Sequence, residues 1–336
     1  MNKDKFYLKK NEGSVDLQQL IAEADAINAL CVDYEVPGIA RNMVISNDGN
    51  LLFSPDGRIS RNVEFTDVSL GQLCTKLSIP SAYAQKCMDA GKTKLLAKNM
   101  NSWLRDQDSK SSVMVRTYGD SARAIVSPRF TPYDSHDVLR NIEQNLDTSE
   151  LKINHYCLNE EVLQIRFTGK QMNIDGEDLF AGLFISSSDV GTGSLSVNFY
   201  IWKQVCSNGL IVSQFGGRLL HKRHVGVSAE SFSEALTAAS ENYPELVRNA
   251  EELVRKNRAT FLDENQLELL LAKMAKEAGV SQKARDEILD LSSTRYSQNG
   301  RVAMWSVING ITEVAQKYTL ERRTELELFA GKLLAA

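Results

Sequence analysis

The succession of periodicities predicts an α+β fold: a central antiparallel β-sheet with N-terminal helices and a C-terminal helical region. Three observations carry it. Strand-like segments gather between Val113 and Phe215, helical spacing governs the chain from Ser228 onward, and short helical segments precede the strands. Runs of strands followed by runs of helices build α+β domains, whereas a doubly wound sheet needs regular alternation. The expected division is an α+β domain at 1–227 and a helical region at 228–336, with the seam near Gly226 to Ser228.

A first helix is expected after a Ser14 cap, with Leu17, Leu20, Ile21 and Ala24 on one face. Met43 to Ile45 and Leu51 to Phe53 flank Asn47-Asp48-Gly49-Asn50, a hairpin signal because Asp-Gly suits left-handed turn positions. Leu70 to Trp103 reads as short helices punctuated by Pro80 and Gly91. Val113 to Tyr118 and Ala122 to Val126 form a second hairpin about Gly119-Asp120, and Asp134 caps a helix with Val138, Leu139 and Ile142. Further strands are expected at Leu151 to Leu158, Val162 to Thr168, Leu179 to Ser186, Leu195 to Val205 and Leu210 to Phe215. Ser231 and Glu234 have capping-box spacing, and stripes at Leu267–Ala278 and Met304–Ala315 mark later helices.

With 43% hydrophobic and 24% charged residues, the 336-residue chain has a globular composition rather than a disordered one. Its 39 basic and 43 acidic residues leave a net charge of −4, so any contact with nucleic acid must rest on a local patch. Cys31, Cys74, Cys87, Cys157 and Cys206 are scattered without a C-x-x-C pair, which suits free thiols better than disulfides or structural zinc. Met1 to Lys10 lacks a signal-peptide core, and no apolar run reaches the roughly 20 residues of a membrane span. A cytoplasmic protein that avoids membranes is expected.

No phosphate loop, nucleophile elbow, H-E-x-x-H or EF-hand pattern is present. Gly191-Thr192-Gly193 precedes a strand, so it reads as a turn rather than a dinucleotide fingerprint. His221 and His224 sit among Lys222 and Arg223, and adjacent cations oppose metal capture. Glu160-Glu161 and the Asp175, Glu177, Asp178 group read as solvated turn charges. No catalytic residue, metal or cofactor is therefore expected.

The strands offer more. Leu195, Val197, Phe199 and Ile201 alternate with Ser196, Asn198, Tyr200 and Trp202, which places the two sets on opposite faces. The second face then carries Tyr200 and Trp202, with Lys203 just beyond. Leu163, Ile165 and Phe167 likewise turn Gln164 and Arg166 outward. Arg116 shares a face with Tyr118, while Arg123 and Arg129 are close in sequence. An open polar face holding these arginines and rings would suit single-stranded nucleic acid: guanidinium groups neutralise phosphates and flat rings stack on unpaired bases. Alternatively, Tyr200 and Trp202 lie beneath a second layer supplied by the C-terminal helices. Arg218, His221, Lys222, Arg223 and His224 form the densest basic cluster, which is either a solvated loop or a phosphate clamp.

Three stretches resemble the family called domain of unknown function 932. The first runs from Phe65 to Phe130 and contains Ile79-Pro80-Ser81-Ala82-Tyr83, Asn101-Ser102-Trp103-Leu104 and Arg123-Ala124-Ile125-Val126-Ser127-Pro128-Arg129-Phe130. The second runs from Ile185-Ser186-Ser187-Ser188-Asp189-Val190-Gly191 through Val205-Cys206-Ser207-Asn208-Gly209-Leu210 to the His221 region, and the third is Trp305 to Tyr318. The resemblance implies a bacteriophage or plasmid origin, a bacterial cytoplasm and no established chemistry. It places Arg116, Arg123, Arg129, Asn208, Gly209 and His221 in recurring motifs.

Three functions are open at this level. The first is a protein that holds or anneals single-stranded DNA during replication or recombination, with homo-oligomeric rings lining many patches along one strand. The second is an anti-defence protein acting on a host partner, although 17 acidic against 14 basic residues from Glu230 onward is too mild a balance for a DNA mimic. The third, a nucleic-acid-processing enzyme, lacks a catalytic constellation.

Overall fold

A computed structural model describes residues 9–57, 61–203, 208–212, 220–222 and 229–336. The α+β class holds, with the strands divided between two sheets. In the larger sheet β1 (Lys9–Val15), β8 (Lys152–Leu158), β9 (Val162–Ile174), β10 (Glu177–Ser188), β11 (Leu195–Lys203) and β12 (Asn208–Val212) follow one another in space, and β13 (Leu220–Lys222) also pairs with β11. Every pairing in it is antiparallel. The smaller sheet runs β2 (Cys31–Val36), β6 (Val113–Tyr118), β7 (Ser121–Val126), β5 (Arg61–Phe65), β4 (Leu51–Phe53), β3 (Met43–Ile45), with β5 and β7 parallel.

The helices close three cores. Helices α3 (Asp67–Lys76), α4 (Ser81–Asp89) and α5 (Thr93–Arg105) bury Leu73, Leu96 and Met100 against Val113, Val115 and Phe53 of the smaller sheet. The larger sheet has one long apolar face. At one end α1 (Leu17–Asn28), α6 (Ser135–Asn145) and α7 (Ala229–Glu241) cover Ile165, Leu183, Ile185 and Val197. At the other, α8 (Tyr243–Ala259), α9 (Glu264–Ala278), α10 (Gln282–Ser293) and α11 (Met304–Ala315) cover Leu179, Ala181, Phe199 and Ile201.

The last helix, α12 (Leu320–Ala335), lies against edge strand β12. Its Gly331 approaches the Ile211 carbonyl so closely that any Cβ would collide with backbone. Leu326, Phe329, Ala330 and Leu333 join the helical core, while Glu327 and Leu328 reach the sheet's other face.

Several local expectations shift. Lys9–Val15 is a strand, so α1 begins later and Asp16, not Ser14, accepts from the Gln18 amide. Ser231 lies inside α7, which already runs from Ala229, and so cannot cap it. Asn208-Gly209 opens β12, where Gly209 pairs with Trp202 and a Cβ would meet the Tyr200 ring. The expected domain seam and the stretch 213–219 lie outside the described residues.

Candidate nucleic-acid interface

The polar face of the larger sheet forms rows set by strand register. Cys157, Gln164, Ser186, Ser196 and His221 make one row; His155, Arg166, Phe184 and Asn198 make the next; Thr168, Gly182, Tyr200 and Ile211 follow. Alternation thus does put Arg166 and Tyr200 on a common face. Of the two readings of this face the covered one holds, because α12 lies over Arg166 and Tyr200, and the open platform is corrected. Arg166 and Tyr200 are each 1% exposed. The Arg166 guanidinium lies 5.4 Å from the Phe184 centroid and 5.7 Å from that of Tyr200, and its Nη2 donates to Glu327 Oε2 at 2.7 Å. Arg323 Nε holds the other Glu327 oxygen at 2.8 Å.

Trp202 is half-buried, with its ring centroid 5.4 Å from that of Phe180 and Leu328 packed nearby. Lys203 follows it in the strand and so faces the opposite, helix-covered side. There it pairs with Glu177, bonds Asn309 Oδ1 at 3.2 Å and sits 5.0 Å from the Tyr296 centroid. Its charge is already used within the fold.

Arg116 and Arg123 belong to the smaller sheet, so they share no face with Arg166. Both are buried in a junction between the two sheets. Arg116 Nε and Nη2 grip the Asp33 carboxylate at 2.8 and 3.0 Å, its Nη1 and Nη2 grip Asp134 at 2.8 and 2.7 Å, and Nη1 also donates to the Asp189 carbonyl. Arg123 donates to Asp134 Oδ2 at 2.8 Å and to the Glu160 carbonyl at 3.0 Å, and pairs with Asp189 at 3.5 Å. Burial alone would raise the Asp134 pKa, but the hydrogen bonds and charges of Arg116 and Arg123 outweigh it and hold the carboxyl below its usual range. The same bonds keep Arg116 charged against the cost of burial. Arg116 spends all five of its N–H donors in these contacts and Arg123 is fully buried, so neither is presented to a phosphate.

Among the remaining sequence-derived candidates, Arg129 and His221 are exposed. Arg218 and Arg223 lie outside the described residues, and Lys222 is described only as part of β13. Among the described residues no cluster of His, Cys, Asp or Glu can hold a metal ion, and no helix is long and apolar enough to cross a membrane.

The open cationic surface lies elsewhere. From Lys76 to Arg105 the chain carries six cations, Lys76, Lys86, Lys92, Lys94, Lys98 and Arg105, against the single carboxylate Asp89. All six are exposed, and among the described residues none of them pairs with a carboxylate. Helix α5 explains the arrangement. Leu96, Ala97, Met100 and Leu104 turn inward at helical spacing, which leaves Lys94, Lys98 and Arg105 along one outer line. Leu95 and Trp103 are 47% and 50% exposed on the same helix; Leu95 flanks the cation line, whereas Trp103 stands on the far flank of the helix. This layer is not among the sequence-derived candidates, although the six-to-one imbalance is readable from the sequence; only burial shows that these particular cations are free.

Two sheets joined through buried guanidinium–carboxylate contacts, with the larger one backed by a helical layer, define the α+β architecture of this protein. The chain belongs to the family described as domain of unknown function (DUF932), which matches residues 123–331. The match begins within β7, so α5 and most of the smaller sheet lie outside it. No curated protein and no solved structure matches the chain.

Proposed function

We propose that the protein binds single-stranded nucleic acid, and that it does so through the α4–α5 layer rather than across the larger sheet. One observation carries this reading: six exposed cations without carboxylate partners share the segment from Lys76 to Arg105 with a half-exposed tryptophan in a chain of net charge −4. Unpaired surface cations keep their field and can release counterions from a phosphate backbone. A Trp103 ring standing clear of the core can stack on an unpaired base, whereas a duplex hides its base faces. The replication or recombination setting of a phage or plasmid, implied by the family resemblance, belongs to the same reading.

Titration of a fluorescent oligonucleotide tests it. Binding should weaken as salt rises, with a slope of about 0.7 per phosphate neutralised. The pair Lys94→Glu and Lys98→Glu should weaken it at least tenfold, on the order of two reversed phosphate contacts. Trp103→Ala should cost about 1–3 kcal/mol and abolish quenching of tryptophan emission. The reading fails if the folded protein binds no oligonucleotide at low salt, or if these variants bind like the parent.

A further inference from the structure

The junction between the sheets holds more negative charge than its cations can balance. Arg116 and Arg123 supply two guanidinium groups, and the carboxyls of Asp33, Asp134, Asp189 and Glu160 converge on them. Asp33 is part-exposed and its charge is solvated, but Asp189 is 2% exposed and Glu160 is 5% exposed. An ionised Asp189 faces Arg123 from β7, Arg116 from β6, Asp134 and Ser135 from the start of α6, Cys31 from β2, and Glu160 and Glu161 from the β8–β9 turn.

Of these neighbours Ser135 donates to Asp189 at close range, from its Oγ at 2.9 Å and from its backbone N–H, while Arg123 stands at 3.5 Å and spends its shorter bonds on Asp134 and the Glu160 carbonyl. Cys31 is no counterweight: burial pushes its thiol up to about 11, so it stays neutral.

We propose that Asp189 is the proton-binding element of a joint: when protonated it balances the network and fastens the β6–β7 strands to the end of β10, and when ionised it loosens that contact. Burial, then repulsion from Asp134, pushes its carboxyl up to about 7. The sign follows. The folded state holds the proton between the unfolded value of about 4 and its own value, so stability falls as pH rises through that window and levels off above it. Glu161, pushed up to about 7 by burial and then by Glu160, acts in the same direction.

The experiment compares hydrogen exchange of β6 and β7 amides in the full chain at mildly acidic and mildly alkaline pH, corrected for intrinsic exchange. Protection should fall at least about tenfold toward alkaline pH in the parent. In Asp189→Asn, which cannot ionise, the larger part of that change should vanish, while Glu161→Gln should lose only the smaller part. An infrared band for buried protonated carboxyls should appear in the parent below neutrality, fade above it, and lose its Asp189 component in Asp189→Asn. Should that variant fail to fold, the infrared titration of Glu161→Gln, from which the second raised carboxyl is gone, decides alone. Protection that ignores pH, an unchanged slope in Asp189→Asn, or a parent without the band would each overturn the joint.

Discussion

Arg166 shows what a buried guanidinium does in this protein. Its partner Glu327 is fully buried and is shared with Arg323, so removing Arg166 leaves a carboxylate in an apolar setting with one cation at its edge. Breaking such a pair costs about 3–5 kcal/mol, whereas replacing both partners by apolar side chains of similar volume costs far less. Arg166→Ala should therefore lower the unfolding free energy in urea by that amount, and Arg166→Met with Glu327→Leu should sit nearer the parent than Arg166→Ala does. A single-variant loss under about 1 kcal/mol would show that the pair is merely tolerated. Asp134 makes the corresponding acid-side statement. Its depressed pKa contributes stability at neutral pH that is lost as pH falls through the folded value. Asp134→Asn should flatten the decline of thermal midpoint on the acid side; a decline of unchanged steepness would assign it to other carboxylates.

At the scale of elements, the decisive contact is α12 on the β12 edge. An edge strand exposes unpaired backbone, and covering it with a helix removes that liability. Gly331 permits the approach, because a side chain there would strike the Ile211 carbonyl and displace the helix. Overpacking of this kind costs about 1–3 kcal/mol or more. Gly331→Ala should lower the thermal midpoint and also uncover Tyr200 and Trp202, read as a red shift of Trp202 emission in a Trp103→Phe background. A midpoint loss with no spectral change would mean that the helix stays seated. The rows of the larger sheet were legible from Leu195, Val197, Phe199 and Ile201, since a period of two leaves no choice about which side chains share a face. What lies over a face is not encoded in that period.

For the molecule as a whole, the helical core is shared: Met172, Leu179, Phe199 and Leu210 of the sheet pack with Leu246, Ile308, Phe329 and Leu333 of the helices. Ending the chain after Tyr318 would strip α12 from this core and leave Arg166, Phe184 and Tyr200 without their cover. Such a chain should be insoluble or bind hydrophobic dyes; a cooperatively unfolding, soluble product would show that α12 is dispensable. Charge is distributed on the same scale. The arginines that alternation singled out serve as internal braces, while lysines on a helical layer outside the matched family region remain free. Nucleic-acid affinity and fold stability should therefore separate, with Lys94 and Lys98 governing the first and Arg116, Arg123 and Arg166 the second.

Local order determined much by itself. Hydrophobic period marked the strands of the larger sheet, the α6 helix and the long C-terminal helices, because which side chains share a face follows from chain geometry alone. It missed β1, β2 and β5: in β2 only Val36 is buried, and in β5 the alternation of Val63 and Phe65 with Asn62 and Glu64 spans only five residues. Tertiary structure alone decided that the strands divide into two sheets, that Arg116 and Arg123 meet Asp33, Asp134 and Asp189 from distant parts of the chain, and that α12 closes the face carrying Arg166. The reason is physical: whether a charge faces water or a buried counter-charge depends on partners brought together by folding, and no spacing along the chain records them.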